Sequence, residues 1–349
     1  MPHGSEKRDI KALLPEELRA ELTGLGLPAY RSRQIFSWLA RGVTSFEEMT
    51  DLSKDLRRTL AERYEIPCLT LLKKQVSALD GTVKLLWELP DGESVETVLM
   101  RYKHGNTVCI SSQVGCRMGC AFCASTIGGK IRDLSASEML DEVLRTGLET
   151  DAEISNIVLM GIGEPLDNFD NVVRFLRLVN HPDGANIGMR HISLSTCGLV
   201  EGIDKLAALN LQLTLSVSLH APDNETRSKL MPVNRAYDVD ALFEACERYF
   251  AKTGRRISFE YAMVRDVNDT PRHGALLAKR LRGTGAHVNL IRLNYVSERG
   301  LLPSTEERVK EFSKTLSDAG VTVTVRRRLG SDIDAACGQL RRGQMRNDA

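Results

Sequence analysis

Cys116, Cys120 and Cys123 form a C-x₃-C-x₂-C array, and three thiolates brought together in one loop can hold a soft metal centre. The number of ligands decides what kind. A [4Fe–4S] cluster has four irons, so three cysteines leave one iron open to a ligand that is not protein. A structural zinc site is closed by four protein ligands and would need a distant cysteine or histidine as the fourth. The chain has eight cysteines but no second C-x₂₋₄-C pair, which favours the cluster over the zinc knuckle.

Gly161-Ile162-Gly163-Glu164-Pro165 suits a backbone that must approach a ligand closely, with a carboxylate to accept from an ammonium group; taken alone it is a turn. Cys68, Cys197 and Cys246 read as small buried hydrophobes, and by itself Cys109 reads the same way. Cys337 differs, because Asp332, Asp334, Gly338 and Gln339 surround it with polar, flexible sequence that implies a mobile exposed loop. From the residues alone, His220 is a hydrogen-bonded core imidazole and Glu96 the outward residue of a strand.

These groups need a scaffold, and 349 residues allow one large α/β domain with a small appended module. Hydrophobic residues make up 42% and charged residues 27%, a globular balance, and no apolar run approaches the roughly 18 residues that span a bilayer. The polar start from Met1 to Arg8 lacks the apolar core of a secretory signal. It predicts a cytoplasmic protein with a short disordered N-terminus, where sparse cysteines are metal ligands or reactive groups rather than a disulfide framework. A net charge of +1 gives no global argument for nucleic acid, so local clusters must carry it. The candidates are Arg31 with Arg33, Arg57-Arg58, Arg255-Arg256, Arg326-Arg327-Arg328 and Arg341-Arg342.

Apolar spacing divides the chain into a helical module over 1–68, a β extension over 69–105 and a core over 106–349. The extension reads as strands at 70–78, 82–89 and 94–102, parted by the turn signals Asp80-Gly81 and Pro90-Asp91-Gly92. In the core, strands at 107–113, 154–160, 191–195, 212–219, 256–264, 287–294 and 321–327 alternate with helices such as 135–149, 238–252 and 305–318. That alternation predicts an α/β fold, a partial (β/α) barrel of about six parallel strands. Such barrels keep their chemistry at the C-terminal ends of strands, and the unusual residues fall there.

The stretches 111–126, 161–165, 218–222 and 332–340, together with Tyr30-Arg31 and Gln34-Ile35 in the helical module, resemble the RlmN family of the radical S-adenosylmethionine (SAM) superfamily. Its members methylate carbon 2 of adenine in 23S ribosomal RNA and transfer RNA. The Cfr family, which methylates carbon 8, is similar. The resemblance implies a [4Fe–4S] cluster on Cys116, Cys120 and Cys123, whose open iron chelates SAM. It implies contacts to SAM from Gly163, Glu164, Ser195, Ser218, Leu219, His220 and Asn294.

It also implies two SAM molecules per turnover, one that methylates Cys337 and one that yields the radical acting on the resulting S-methyl group. Glu96 is then the acceptor of the ring proton and Cys109 the thiol that forms a transient disulfide with Cys337. A monomer served by a reducing donor such as flavodoxin, bound to RNA and to no membrane, completes the implied reading. The chain departs from the family pattern at Arg292, where proline is usual, and at Cys197, where serine is common. Two other classes compete: an iron–sulfur RNA-binding module without turnover, and a radical SAM activating enzyme that works on a protein.

Overall fold

The computed structural model describes residues 7–333. Strands β1 (Arg8–Asp9) and β2 (Tyr64–Glu65) pair in parallel and bracket helices α1 (Pro15–Gly24), α2 (Tyr30–Ala40) and α3 (Lys54–Arg63). Arg8 is thus paired with Tyr64 rather than part of a disordered tail; residues 1–6 lie outside the described range. Ser53 starts α3 by accepting from the Leu56 N–H, the cap that a helix end requires for its otherwise unpaired donors.

The extension forms an antiparallel meander of β3 (Thr70–Val76), β4 (Val83–Glu88) and β5 (Ser94–Tyr102), which continues into β6 (Gly105–Cys109). The strand expected over 107–113 stops at Cys109. Beyond it the Ser111 N–H turns to the two carboxylate oxygens of Glu142, at 3.1 and 3.0 Å, and the Ser112 N–H bonds to the Ile162 carbonyl. The ladder is therefore broken there. A separate antiparallel pair, β7 (Gln113–Gly115) and β8 (Lys130–Asp133), then flanks the three-cysteine loop. Gly115 sits at φ +77°, and a Cβ at that position would lie 2.0 Å from the Gly129 carbonyl oxygen, so only glycine closes this pair.

From β6 the sheet runs through β9 (Ile154–Leu159), β10 (Ile192–Thr196), β11 (Thr214–Ser218), β12 (Ser258–Met263), β13 (His287–Arg292) and β14 (Thr322–Val325), all parallel. This is an α/β architecture with seven parallel strands where about six were expected; the seventh, β14, is short. The crossovers carry α4 (Ala136–Thr150), α5 (Phe169–Asn180), α6 (Val200–Ala208), α7 (Asn224–Leu230), α8 (Val239–Thr253), α9 (Pro271–Leu281) and α10 (Glu306–Asp318). In α5 the buried residues Val172, Phe175, Leu176 and Val179 recur at helical spacing, the stripe by which a helix packs on a sheet. One apolar core extends from Ile10 to Val321 and joins the N-terminal helices to the barrel.

The chain after β14 returns to the other end of the sheet. The Gly330 N–H bonds to Asp80 Oδ2 at 2.8 Å, and Asp332 accepts from the Ser77 hydroxyl at 2.6 Å and the Ala78 N–H at 2.8 Å. Segment 326–333 thereby straps the open side of the barrel to the β3–β4 turn. Among the described residues no helix is long and apolar enough to cross a membrane.

Candidate active site

Two adjoining cavities open at the C-terminal ends of the parallel strands. The first, about 270 Å³, is lined by Cys116, Cys120 and Cys123 and by residues from the ends of β9 to β13. Cys116 and Cys120 are buried, and Cys123 is half-buried. Burial pushes the Cys116 thiol up to about 12 and raises Cys120 as well, and the neighbouring thiols add to both shifts. Without a cation these sulfurs hold their protons at neutral pH. Three such thiols facing one cavity fit a polynuclear metal centre that replaces the protons and leaves room for a further ligand. A structural zinc site is closed and would not open onto a cavity of this size.

Gly163, Glu164, Ser195, Ser218, His220 and Asn294 all line this same cavity. Gly163 has φ +114°, and a Cβ there would lie 2.6 Å from the Ser112 hydroxyl oxygen. The close approach anticipated for this glycine is thus to the loop after β6. The Glu164 carboxylate is buried, and burial raises its pKa; its oxygens accept from the Cys197 N–H at 2.7 Å and the Leu166 N–H at 3.0 Å. Leu219 is the exception. Its side chain lies wholly in the apolar core, and its N–H bonds to the Glu260 carbonyl, so only its backbone faces the strand ends.

His220 has φ +55°, and its Nδ1 accepts from the Ala262 N–H at 2.9 Å, which leaves the proton on Nε2. Its ring meets Phe122 of the cysteine loop edge-on, with centroids 4.8 Å apart. Burial, reinforced by the charge of Arg227, holds the imidazole down to about 3 from its ordinary 6.5. The neutral ring therefore adds stability that is present above pH 6.5 and is lost as the pH falls toward 3. His220→Asn keeps an acceptor for Ala262 but has nothing to titrate. Its unfolding free energy, from urea curves, should fall less steeply than that of the wild type below about pH 6.5, by up to about 1.4 kcal/mol per pH unit. Equal slopes would contradict a neutral buried ring.

Arg227 is a positioning group that sequence reasoning missed. Its guanidinium is fully buried and donates to the carbonyls of Cys197 at 2.7 Å, Leu219 at 3.1 Å and Ser218 at 3.3 Å, and to Asn234 at 3.0 Å. It ties the ends of β10 and β11 together beneath the cavity. Its position within a charged, helical stretch gave no signal, because nothing in the sequence marks which arginine turns inward. Met118, Phe122, Met160 and Glu260 also line the cavity without having been anticipated.

The second cavity, about 330 Å³, shares Ile291, Asn294 and Arg326 with the first and is lined also by Cys109, Val98 and Met100. Val98 is the register partner of Cys109 and of Lys84. Lys84, Glu96, Val98, Met100 and Cys109 therefore share the inner face, since strand residues two apart point the same way. Glu96 is thus an inward residue, not an outward one. It is buried and ion-paired to the equally buried Lys84 at 2.9 Å. Thr97, on the opposite face, bonds to Trp87 and Thr146 under α4. Cys337, and with it the disulfide expected with Cys109, lies outside the described residues. Cys197 is buried and lines the first cavity, while Arg292 lines the second and is ion-paired with Glu306.

Two family models match the chain: the radical SAM superfamily over residues 110–277 and the ribosomal RNA large subunit methyltransferase N-terminal domain over residues 9–66. A probable dual-specificity RNA methyltransferase RlmN of Lachnoclostridium phytofermentans is 51% identical over 97% of this chain and 95% of its own length. Its counterpart in Alkaliphilus oremlandii is 49% identical over 98% of this chain and all of its own. The crystal structure of a radical SAM methyltransferase from Sphaerobacter thermophilus superposes with a TM-score of 0.90 at 43% identity, covering 95% of this chain and 98% of that one.

Proposed function

Because the chain belongs to the RlmN family of radical SAM RNA methyltransferases, we propose that it methylates carbon 2 of an adenosine in 23S ribosomal RNA and in transfer RNA, passing the carbon through Cys337. The observation that carries this reading is the paired cavity. The three-cysteine chamber opens onto a second one that contains Cys109 and shares Asn294 with the first. A sensing module without turnover has no use for a thiol there.

Carbon 2 of adenine lies between two ring nitrogens and is electron-poor, so it does not attack a methyl sulfonium directly. When bound, the cluster on Cys116, Cys120 and Cys123 and the SAM held at the strand ends supply radical chemistry that activates an otherwise inert C–H bond. The protein's own residues do the rest. Gly163, Glu164, Ser195, Ser218, His220, Asn294 and the Leu219 backbone orient SAM. Cys337 accepts a methyl group from one SAM and presents it for activation by a second, so that two are consumed per turnover. Glu96, held by Lys84, takes the ring proton, and the Cys109 sulfur, once deprotonated, attacks the Cys337 sulfur. The disulfide forms as the carbon–sulfur bond breaks, and the freed methylene takes a proton that originates in solvent to become the methyl group.

A reducing electron donor such as flavodoxin serves the monomeric enzyme, and the disulfide is reduced before the next turnover. The helical module over 1–68 adds RNA surface: Tyr30 is exposed, with the Arg31 guanidinium 4.9 Å above its ring, ready to stack on a base. Trp38 is instead packed partly on the core and donates to Asp51 at 2.6 Å.

The test is mass spectrometry of nucleosides after anaerobic reaction with protein-free 23S RNA and with transfer RNA. It should find 2-methyladenosine in both. 8-Methyladenosine would shift the assignment to Cfr-like chemistry, and SAM cleavage that never marks either RNA would overturn it.

A further inference from the structure

Arg326, Arg327 and Arg328 follow β14 and line the second cavity, beside Cys109. Among the described residues none of their guanidinium groups has an ion pair or a side-chain hydrogen bond; the charge of Arg326 is felt by the buried Glu260. Arg292, on the same cavity, is by contrast neutralised by Glu306 at 2.9 Å. Arg327 and Arg328 are exposed at the rim, and Arg326 is half-buried where the two cavities meet.

The segment that carries them is fixed at both ends. The Arg326 N–H bonds to the Leu290 carbonyl at 2.8 Å, and Gly330 is buried and held by Asp80. Three consecutive arginines that have no salt bridge among the described residues, anchored at the mouth of a chamber with low-dielectric walls, focus a positive potential on that mouth. A guanidinium fork matches a phosphate oxygen pair and keeps its charge at any working pH.

We propose that Arg327 and Arg328, backed by Arg326, form the site that grips the phosphodiester flanking the target adenosine and so hold that base over Cys109. This rests on the RNA-methylating function proposed above and names the residues that seat its substrate. An adenine inside a duplex hides carbon 2, so the nucleotide must be unstacked and swung inward. A nucleotide reaching into this cavity carries its own phosphates to the rim, where the two exposed arginines stand. The SAM carboxylate is the rival anion. It would be held in the first cavity, which Arg327 and Arg328 do not line.

The experiment uses the reconstituted holoenzyme with transfer RNA and compares Arg327→Ala, Arg328→Ala, the double variant and Arg327→Lys with the wild type. Arg248→Ala, which breaks an exposed pair with Asp204 on the outer helices, is the control for general charge loss. Each rim variant should weaken RNA binding about tenfold and lower the slope of log affinity against log salt by about one. KM for RNA should rise with Kd while kcat moves less, Arg327→Lys should recover part of the loss, and SAM affinity by calorimetry should be unchanged. A double variant with intact cluster and wild-type RNA affinity and salt slope would overturn the proposal. So would a loss matched by Arg248→Ala, or a loss of SAM affinity alone. A wild-type holoenzyme that does not bind transfer RNA would instead overturn the function on which this rests.

Discussion

Anaerobically reconstituted protein should bind about four irons per chain, the number in a [4Fe–4S] cluster, and Cys120→Ala should lose the cluster and its visible absorbance. The effect is all or nothing because the three thiols share one cavity, and burial raises Cys116 and Cys120 too far for them to ionise unaided. A cluster deprived of one ligand has no ready substitute: Cys197, a further thiol lining the same cavity, keeps its proton through burial and the adjacent Glu164 carboxylate. Loss of fold is not the cause to expect, since trimming one sulfur from a buried site costs about 1–2 kcal/mol. Far-ultraviolet circular dichroism should therefore stay native. One tightly held zinc in freshly purified protein, with no iron taken up on reconstitution, would contradict the assignment.

The second large effect separates two cysteines. Cys109→Ala should stall with RNA joined through a methylene to Cys337, because the carbon–sulfur bond has lost its thiol attacker. Cys337→Ala has no sulfur to methylate. It should give neither adduct nor methyladenosine while retaining its iron. Denaturing gels with labelled RNA, followed by peptide mass analysis, distinguish the two. Full methylation by Cys337→Ala would remove the covalent route, and a Cys109→Ala enzyme with intact cluster and no adduct would remove the role given to Cys109.

The parts of this site that announced themselves in the sequence are those whose chemistry is local. Cys116, Cys120 and Cys123 lie within one loop, and Gly161 to Pro165 within one turn, so spacing alone exposes them. The alternation of strands and helices likewise placed the parallel sheet, because a buried strand and an amphipathic helix each carry their own period. What spacing did not show is which side a residue takes when several strands meet. Glu96 reads outward on its own strand, but it lies two residues from Val98, which pairs with Lys84 on β4 and Cys109 on β6, and so shares their inward face. Leu219 sits between two cavity residues yet faces the core, the ordinary consequence of alternation along an extended chain. Arg227 became visible only when three carbonyls from two strand ends converged on it. Roles for Cys109, Glu96 and Cys337 came from resemblance, since lone residues carry no spacing to read.

The central claim is that the methyl carbon passes through Cys337 with loss of one hydrogen. The most direct measurement is a reaction with SAM carrying a trideuterated methyl group, analysed by mass spectrometry of the modified adenosine and of the 5′-deoxyadenosine released. If an S-methyl group on Cys337 surrenders a hydrogen before its carbon joins the base, the new methyl group carries two deuteriums and one solvent hydrogen, and the 5′-deoxyadenosine carries one deuterium. Transfer of an intact trideuterated methyl group, with unlabelled 5′-deoxyadenosine, would contradict the account.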